Sequence, residues 1–418
     1  MGKLKLQNKL TKEFFKRLFQ RKITEPTEKF YGDDRDLVVA RHIVLNEMGA
    51  GSQGNCVIDD NGIGAGSGRH VHAVVVLSDE KRRLLLAIAR QLALVCHYPN
   101  FDENAAEKGE QANRTVISIV DSKYRTVESL DGLEKEMRGE LFGNLPDYAL
   151  CRKMVFADSS IPTVTNGQEC SFVDIELNLV GIADGTTAEQ YAQAVATDAS
   201  TIVTVISKET IGNDYSDIST EIGLLRPMMV DTVYRIGGTF LSIRKADVAV
   251  AGNYSNAIND YCRIIKVNKM LGNWQQDKAK NPDGKELRLS NLLCGDHFET
   301  KVRSLRAMSN ASTFDLKEKI EENMELLARL EHSRWNVEKL VLGYRPYTAK
   351  ELDDDCKAFT EGAAKVKALR NKLKNEQKVH LDIRSFGSLL HYHFDSVRYD
   401  YFLTLLIPSV LKRETEMK

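Results

Sequence analysis

From residue 71 onward, short β-branched runs alternate with stretches whose apolar residues recur every three or four positions. VHAVVVLS (71–78) is almost uninterrupted in its apolar character, as a strand buried on both faces of a parallel sheet requires. EKRRLLLAIARQLALVCH (80–97) then carries a helical apolar stripe. RTVISIVD (114–121) is the next strand and ESLDGLEKEMRGELF (128–142) the next helix. DIELNLVGIAD (174–184), TAEQYAQAVATDA (187–199) and STIVTVISKE (200–209) repeat the strand, helix, strand rhythm. Upstream, HIVL (42–45) reads as a further short strand. The alternation predicts an α/β fold with a doubly wound parallel sheet over residues 41–266. Such sheets take ligands beyond the carboxyl ends of their strands.

After residue 266 the pattern changes. Residues 267–311 include NWQQDKAKNPDGKELRLSN, which is polar, carries Pro-Asp-Gly and reads as a linker or surface loop. Residues 312–418 read as helical. Ser312 with Asp315 offers an N-cap for a helix from about 313 to 342, and Gly343 ends it as the residue beyond the C-cap. Thr348 with Glu351 forms a second capping box. The helix it opens carries Asp353, Asp354 and Asp355 early and Lys365, Lys367, Arg370, Lys372 and Lys374 late, a polarity that suits the helix dipole of a solvated element.

Residues 1–40 form a separate arm. Its first 22 residues hold eight Lys or Arg against one acid, with Leu10, Phe14, Leu18 and Phe19 near helical spacing. A basic amphipathic helix of this kind docks on its own domain or on a sister subunit, or contacts an anionic membrane surface or a nucleic acid. Over all 418 residues the formal net charge is −1, so no global field favours nucleic acid. The seven cysteines are scattered, without CxxC or zinc spacing, as expected of reduced thiols in a cytoplasmic chain. No run approaches about 18 apolar residues, and MGKLKLQNKL lacks both the apolar core of a secretion signal and the Ser or Thr of a myristoylation site.

Two regions carry candidate chemistry. In GAGSQGNCVIDDNGIGAGSG (49–68), Gly49, Gly51 and Gly54 satisfy GxGxxG after the HIVL run. A phosphate cradle of this type needs a helix directly behind it, and NCVIDDNG does not open one. The better-placed strand, HAVVVLS, is followed by a turn from Ser78 to Arg82 with two acids and no glycine. Asp121, at the tip of the next strand, is either a ribose-binding acid or a turn residue. NAD-type cofactor binding therefore rests on Gly49, Gly51, Gly54 and Asp121.

The second region is LARLEHSRWNVEKLVLGYRPY (327–347), crowded with a Trp, a His, two Glu and two Arg in the space of a helix. Glu331, Trp335 and Lys339 are i, i+4 neighbours, with His332 three residues before Trp335. A flat aromatic beside cations suits a purine and its phosphates. Equally, Trp335 packs the helix against the tail, with Glu331 buried against Arg345 or Arg398. Four of nine histidines fall after residue 331, but His391 and His393 alternate without a third partner, too few for a metal. CGDHFE (294–299) reads as a helix start capped by Asp296, and no GxSxG, HExxH or Walker loop is present.

The run EH..W...K...GY, formed by Glu331, His332, Trp335, Lys339 and Gly343-Tyr344, resembles the RyR domain, the repeat named after ryanodine receptors and also found in bacterial and phage proteins. The likeness continues through KVHLDIRSFGSLL (378–390) and FDSVRYDYFLTLLIP (394–408). Residues 71–215 are similar to the TrkA-N type of Rossmann domain through their strand order. The resemblance implies a Rossmann-like domain followed by a helical RyR-like domain, and a non-catalytic sensor of a nucleotide-derived signal (ADP-ribose, a cyclic nucleotide or an NAD-type molecule) in bacterial or phage conflict. The candidate ligand-binding set is Glu331, His332, Trp335, Lys339, Tyr344, Arg345, Arg384, Asp395 and Arg398. A homo-oligomer is the expected assembly. An NAD(P)-dependent Rossmann enzyme and a structural assembly protein are the alternatives.

Overall fold

The structure is a computed structural model that describes residues 34–48, 58–59, 62–126, 128–138, 141–155, 163–164, 170–183, 185–196, 199–211, 283–309 and 314–392, with 396, 397, 399–401, 403–405, 407, 408 and 411. Most of the N-terminal arm, Gly49, Gly51, Gly54, Ser312, Asp395 and Arg398 lie outside the described residues.

Among the described residues six strands form one sheet: β1 (His70–Val76), β2 (Thr115–Asp121), β3 (Leu150–Val155), β4 (Thr163–Val164), β5 (Ile175–Ile182) and β6 (Thr201–Ile206). Their order is β4-β3-β5-β2-β1-β6. Five strands are mutually parallel, and only β4 runs antiparallel, at the edge beside β3. Alternation along each strand divides the side chains between two faces. Val71, Ala73, Val75, Ile117, Ile119, Leu177 and Leu179 face α1 (Arg35–His42) and α2 (Arg82–Val95) in the larger core. Val74, Val120 and Val180 face α4 (Ala188–Val195), while α3 (Leu130–Met137) buries Leu130, Leu133 and Met137 in the larger core. Helices on both faces of a parallel sheet give the mixed α/β, doubly wound layering predicted by the strand rhythm, consistent with a Rossmann-like fold.

HIVL is not a strand. Asp34 accepts from the backbone N–H of Leu37 and opens α1, which runs through His42 and widens into a π-turn over Ile43–Glu47. Val38, Val39, Ile43 and Val44 are buried on its inner side. A four-residue apolar run cannot report its own period, so the cap eight residues upstream decided the outcome.

The span expected as a linker holds two buried helices, α5 (Asp283–Asp296) and α6 (Phe298–Ala307). Lys, Ser, Asn, Asp and Arg made it look solvated, but Asp296, Lys301 and Arg303 are paired inside. Asp296 does not cap a helix. It grips the Arg41 guanidinium through two bonds of 2.7 and 2.5 Å. Arg303 likewise holds Asp59, with Nε 2.8 Å from Oδ2. His97 meets Asp174 at 2.9 Å, and His297 Nε2 sits 3.1 Å from the His97 carbonyl. These helices close the seam between the sheet and the C-terminal helices, and one apolar core runs from Val71 through Leu293 to Val337, Leu340 and Ile383.

The expected helix from 313 to 342 is two helices, α7 (Leu316–Glu322) and α8 (Met324–Val341), with Asp315 rather than Ser312 as the first cap, accepting from Lys317 and Glu318 N–H. Gly343 ends α8 with φ +82°, and the N–H of Tyr344 and of Gly343 reach back to Lys339 and Leu340 carbonyls. The acid-then-base helix is a hairpin. α9 (Ala349–Glu361), opened by the Thr348–Glu351 capping box, ends at Gly362 with φ +128°, and α10 (Ala363–Gln377) folds back so that Arg370 clasps Asp355 with two 2.7 Å bonds. A two-residue pair, β7 (Arg345–Pro346) with β8 (Val379–His380), ties the hairpin to the end of α8. The last labelled helix is α11 (Phe386–Tyr392). Among the described residues no helix is long and apolar enough to cross a membrane.

Candidate functional site

The sheet's carboxyl edge was the first expected site, and its acid is already committed. Arg82, at the start of α2, places Nη1 2.6 Å from Asp121 and its other nitrogens 2.6 Å from both Glu136 oxygens. Asp121 also accepts from the Lys123 backbone N–H at 2.9 Å. The remaining charges of that edge pair locally, Lys123 with Asp79 and Lys208 with Glu80. A buried carboxylate held by a guanidinium is a strut for the α2 N-terminus and is not open to a ribose.

Glu331 is the second reassignment. It is fully buried and does not share the Trp335 face. Lys301 of α6 and Arg334 both donate to it, and Arg334 also reaches Glu338 at 2.7 Å. Burial alone would raise the Glu331 carboxyl, but the two cations bring it down to about 2. Arg345 takes no part in holding it. Arg345 is forked onto Glu351 by two 2.8 Å bonds, and that hydrogen bonding holds Glu351 down to about 2.

His332 is buried one turn below the site. Its Nε2 lies 3.0 Å from the Arg384 carbonyl and its Nδ1 3.3 Å from Asp400. Burial works against the imidazolium, yet the hydrogen bond to Asp400 and its charge outweigh that and raise the His332 pKa. Arg384 turns its Nε to the Leu381 carbonyl at 2.7 Å, and Asn336 donates to the Arg384 carbonyl at 2.8 Å. These bonds fix the 381–386 turn against α8.

What remains of the expected set converges. Trp335 is only partly buried and stacks at 21° on His332, ring centroids 5.9 Å apart. His380 of β8 stands edge-on to it at 5.0 Å and edge-on to Tyr344 at 6.2 Å. Lys339 Nζ lies 5.7 Å from the Trp335 ring centre and 5.8 Å from that of Tyr344. Lys378 Nζ lies 5.6 Å from Tyr344 and donates to the Leu342 carbonyl at 2.8 Å. The result is an aromatic platform of Trp335, His380 and Tyr344 rimmed by two ammonium groups. Lys378 holds it at some cost, because it sits at φ +51°, where a side chain other than glycine is disfavoured by about 1–2 kcal/mol. Sequence reasoning did not single out Lys378 or His380. Their only signal was the KVH run in the tail, and a side chain brought over a ring 34 residues away leaves no spacing to read.

Among the described residues no group of three or more His, Cys, Asp or Glu is placed to hold a metal ion. Among the described cysteines, Cys96, Cys170, Cys294 and Cys356 are free thiols. No protein-family model, no curated protein and no solved structure matches this chain.

Proposed function

We propose that the Trp335 platform binds a nucleotide-derived ligand and that the protein is a sensor or regulator rather than a catalyst. The observation that carries this reading is the Trp335–Tyr344–His380 platform with Lys339 and Lys378 over its rings. A purine stacks on such a surface whatever its edge groups, and the two ammonium groups meet phosphate. The RyR-like character of the C-terminal helices, read from Trp335, Lys339 and Gly343-Tyr344, supports the same class of ligand. His332 positions the Trp335 ring from beneath.

Thermal shift against ADP-ribose, NAD, and cyclic and linear mononucleotides tests the reading. A ligand at about 100 times its Kd stabilises the fold by about 2.7 kcal/mol, a readily measured rise in Tm. Trp335→Ala removes a stacking contact worth about 1–3 kcal/mol, and thus lowers affinity by about 5- to 150-fold. Trp335→Phe retains part of the rise. A panel without any shift, or a shift indifferent to Trp335→Ala, refutes the proposal.

A further inference from the structure

The charges around the platform differ in how far they are enclosed. Lys301, Glu331, Arg334, Glu338 and Lys339 form one continuous chain of ion pairs across α6 and α8. Three of its members are cations and two are anions. Beside it, Lys378 lies over Tyr344, whose hydroxyl meets Glu286 of α5 at 3.3 Å. With Glu286 counted, Lys301, Arg334 and Lys339 face three carboxylates, and Lys378, the fourth cation, is exposed. The members deepest in the chain are fully enclosed, which leaves Lys339 and Lys378 as the cations at the rim of the Trp335 platform. An anion at the rim would meet both ammonium groups.

A second observation extends the positive field beyond one phosphate. Along α10, Lys367, Asn371 and Lys374 follow at intervals of four and three residues, which places them on one side of the helix, and Lys378 follows as its C-cap. All four are exposed. The opposite flank buries Val366 and Leu373. At 1.5 Å per residue the stripe is about 16 Å long, and it ends where Lys378 covers Tyr344. No acid lies in it.

We infer that the ligand is a base joined to a chain of two or more phosphates, with the base on Trp335 and the phosphates running from Lys339 and Lys378 along Lys374 toward Lys367. This rests on the reading of the platform as a ligand site, and it adds the substrate class. Such chemistry belongs both to short single-stranded oligonucleotides and to nucleoside polyphosphates.

Calorimetric titration of the full chain with AMP, ATP and triadenylate at several salt concentrations tests it. Triadenylate or ATP is expected to bind at least about tenfold tighter than AMP, with log K falling against log salt by about 0.7 for each phosphate engaged on a single strand. In K367E/K374E that advantage and the steeper salt slope disappear while AMP affinity holds. Tighter binding of triadenylate than ATP identifies the oligonucleotide source, and parity identifies the polyphosphate tail. Equal affinity for all three in the wild-type chain, or an unchanged advantage in K367E/K374E, overturns the inference and leaves the Trp335 proposal standing if AMP binding still depends on Trp335. No binding by any of them overturns the inference outright.

Discussion

Glu331 accepts from Lys301 and Arg334 at a point with no solvent, so its worth is measured by what its removal strands. Glu331→Gln leaves Lys301 charged and enclosed, a change expected to cost about 3–5 kcal/mol in denaturant unfolding. A loss under about 1 kcal/mol would show that the chain of pairs is not held this way. Glu103 titrates in a more useful range. Burial raises its carboxyl from 4.5 to about 7, against the opposing pull of His332, Arg329 and the Phe386 N–H, with Glu107 adding to the rise. The sign follows from proton linkage. A carboxyl whose folded pKa is raised binds its proton more tightly when folded, so its contribution is complete below about 4.5 and is lost as pH climbs toward about 7. Urea midpoints of Glu103→Gln should therefore fall less than those of the wild-type chain between pH 5 and pH 8, and parallel pH curves would reject the assignment.

Helix ends govern the next scale. The loop after α3 caps α8 from outside: Asn144 N–H donates to the Leu340 carbonyl at 2.8 Å, and its side-chain amide to the Gly343 carbonyl at 2.8 Å. Gly143 makes this approach possible, since it has φ +51° and a Cβ there would lie 2.6 Å from the Leu340 oxygen. At Gly343, by contrast, an added Cβ meets only the Lys378 side chain, at 3.8 Å. Gly343→Ala should thus cost about 1–2 kcal/mol from backbone conformation alone. Gly143→Ala should add an overpacking penalty of about 1–3 kcal/mol to a similar backbone term. Equal unfolding energies for the two variants would mean that the loop yields and the cap is dispensable.

For the whole molecule, the continuity of the core argues against independent halves. Leu292 and Leu293 of α5 and Val337 and Leu340 of α8 belong to the same apolar cluster as Ile117 and Leu177 of the sheet. Residues 312–418 expressed alone would expose that surface and leave Glu331 without Lys301. They are expected to lack a cooperative thermal transition by circular dichroism, whereas a chain keeping α5 and α6 retains one. A cooperative fragment 312–418 would restore the boundary drawn from composition.

The sequence by itself determined the parallel sheet, α2, α4, the Gly343 helix end and the Thr348 capping box. Each depends on residues within a few positions of one another, where period, cap and backbone freedom are local properties. It also pointed to Trp335, Lys339 and Tyr344, which share the end of one helix. Tertiary structure decided the rest. Whether Lys301, Asp296 and Arg303 were solvated or buried depended on partners 30, 255 and 244 residues away. A lone ionic side chain reads as surface until its counter-charge is in place, and only then can it be enclosed. The same holds for Lys378 and His380, which complete the platform by crossing in space a distance that no sequence interval records.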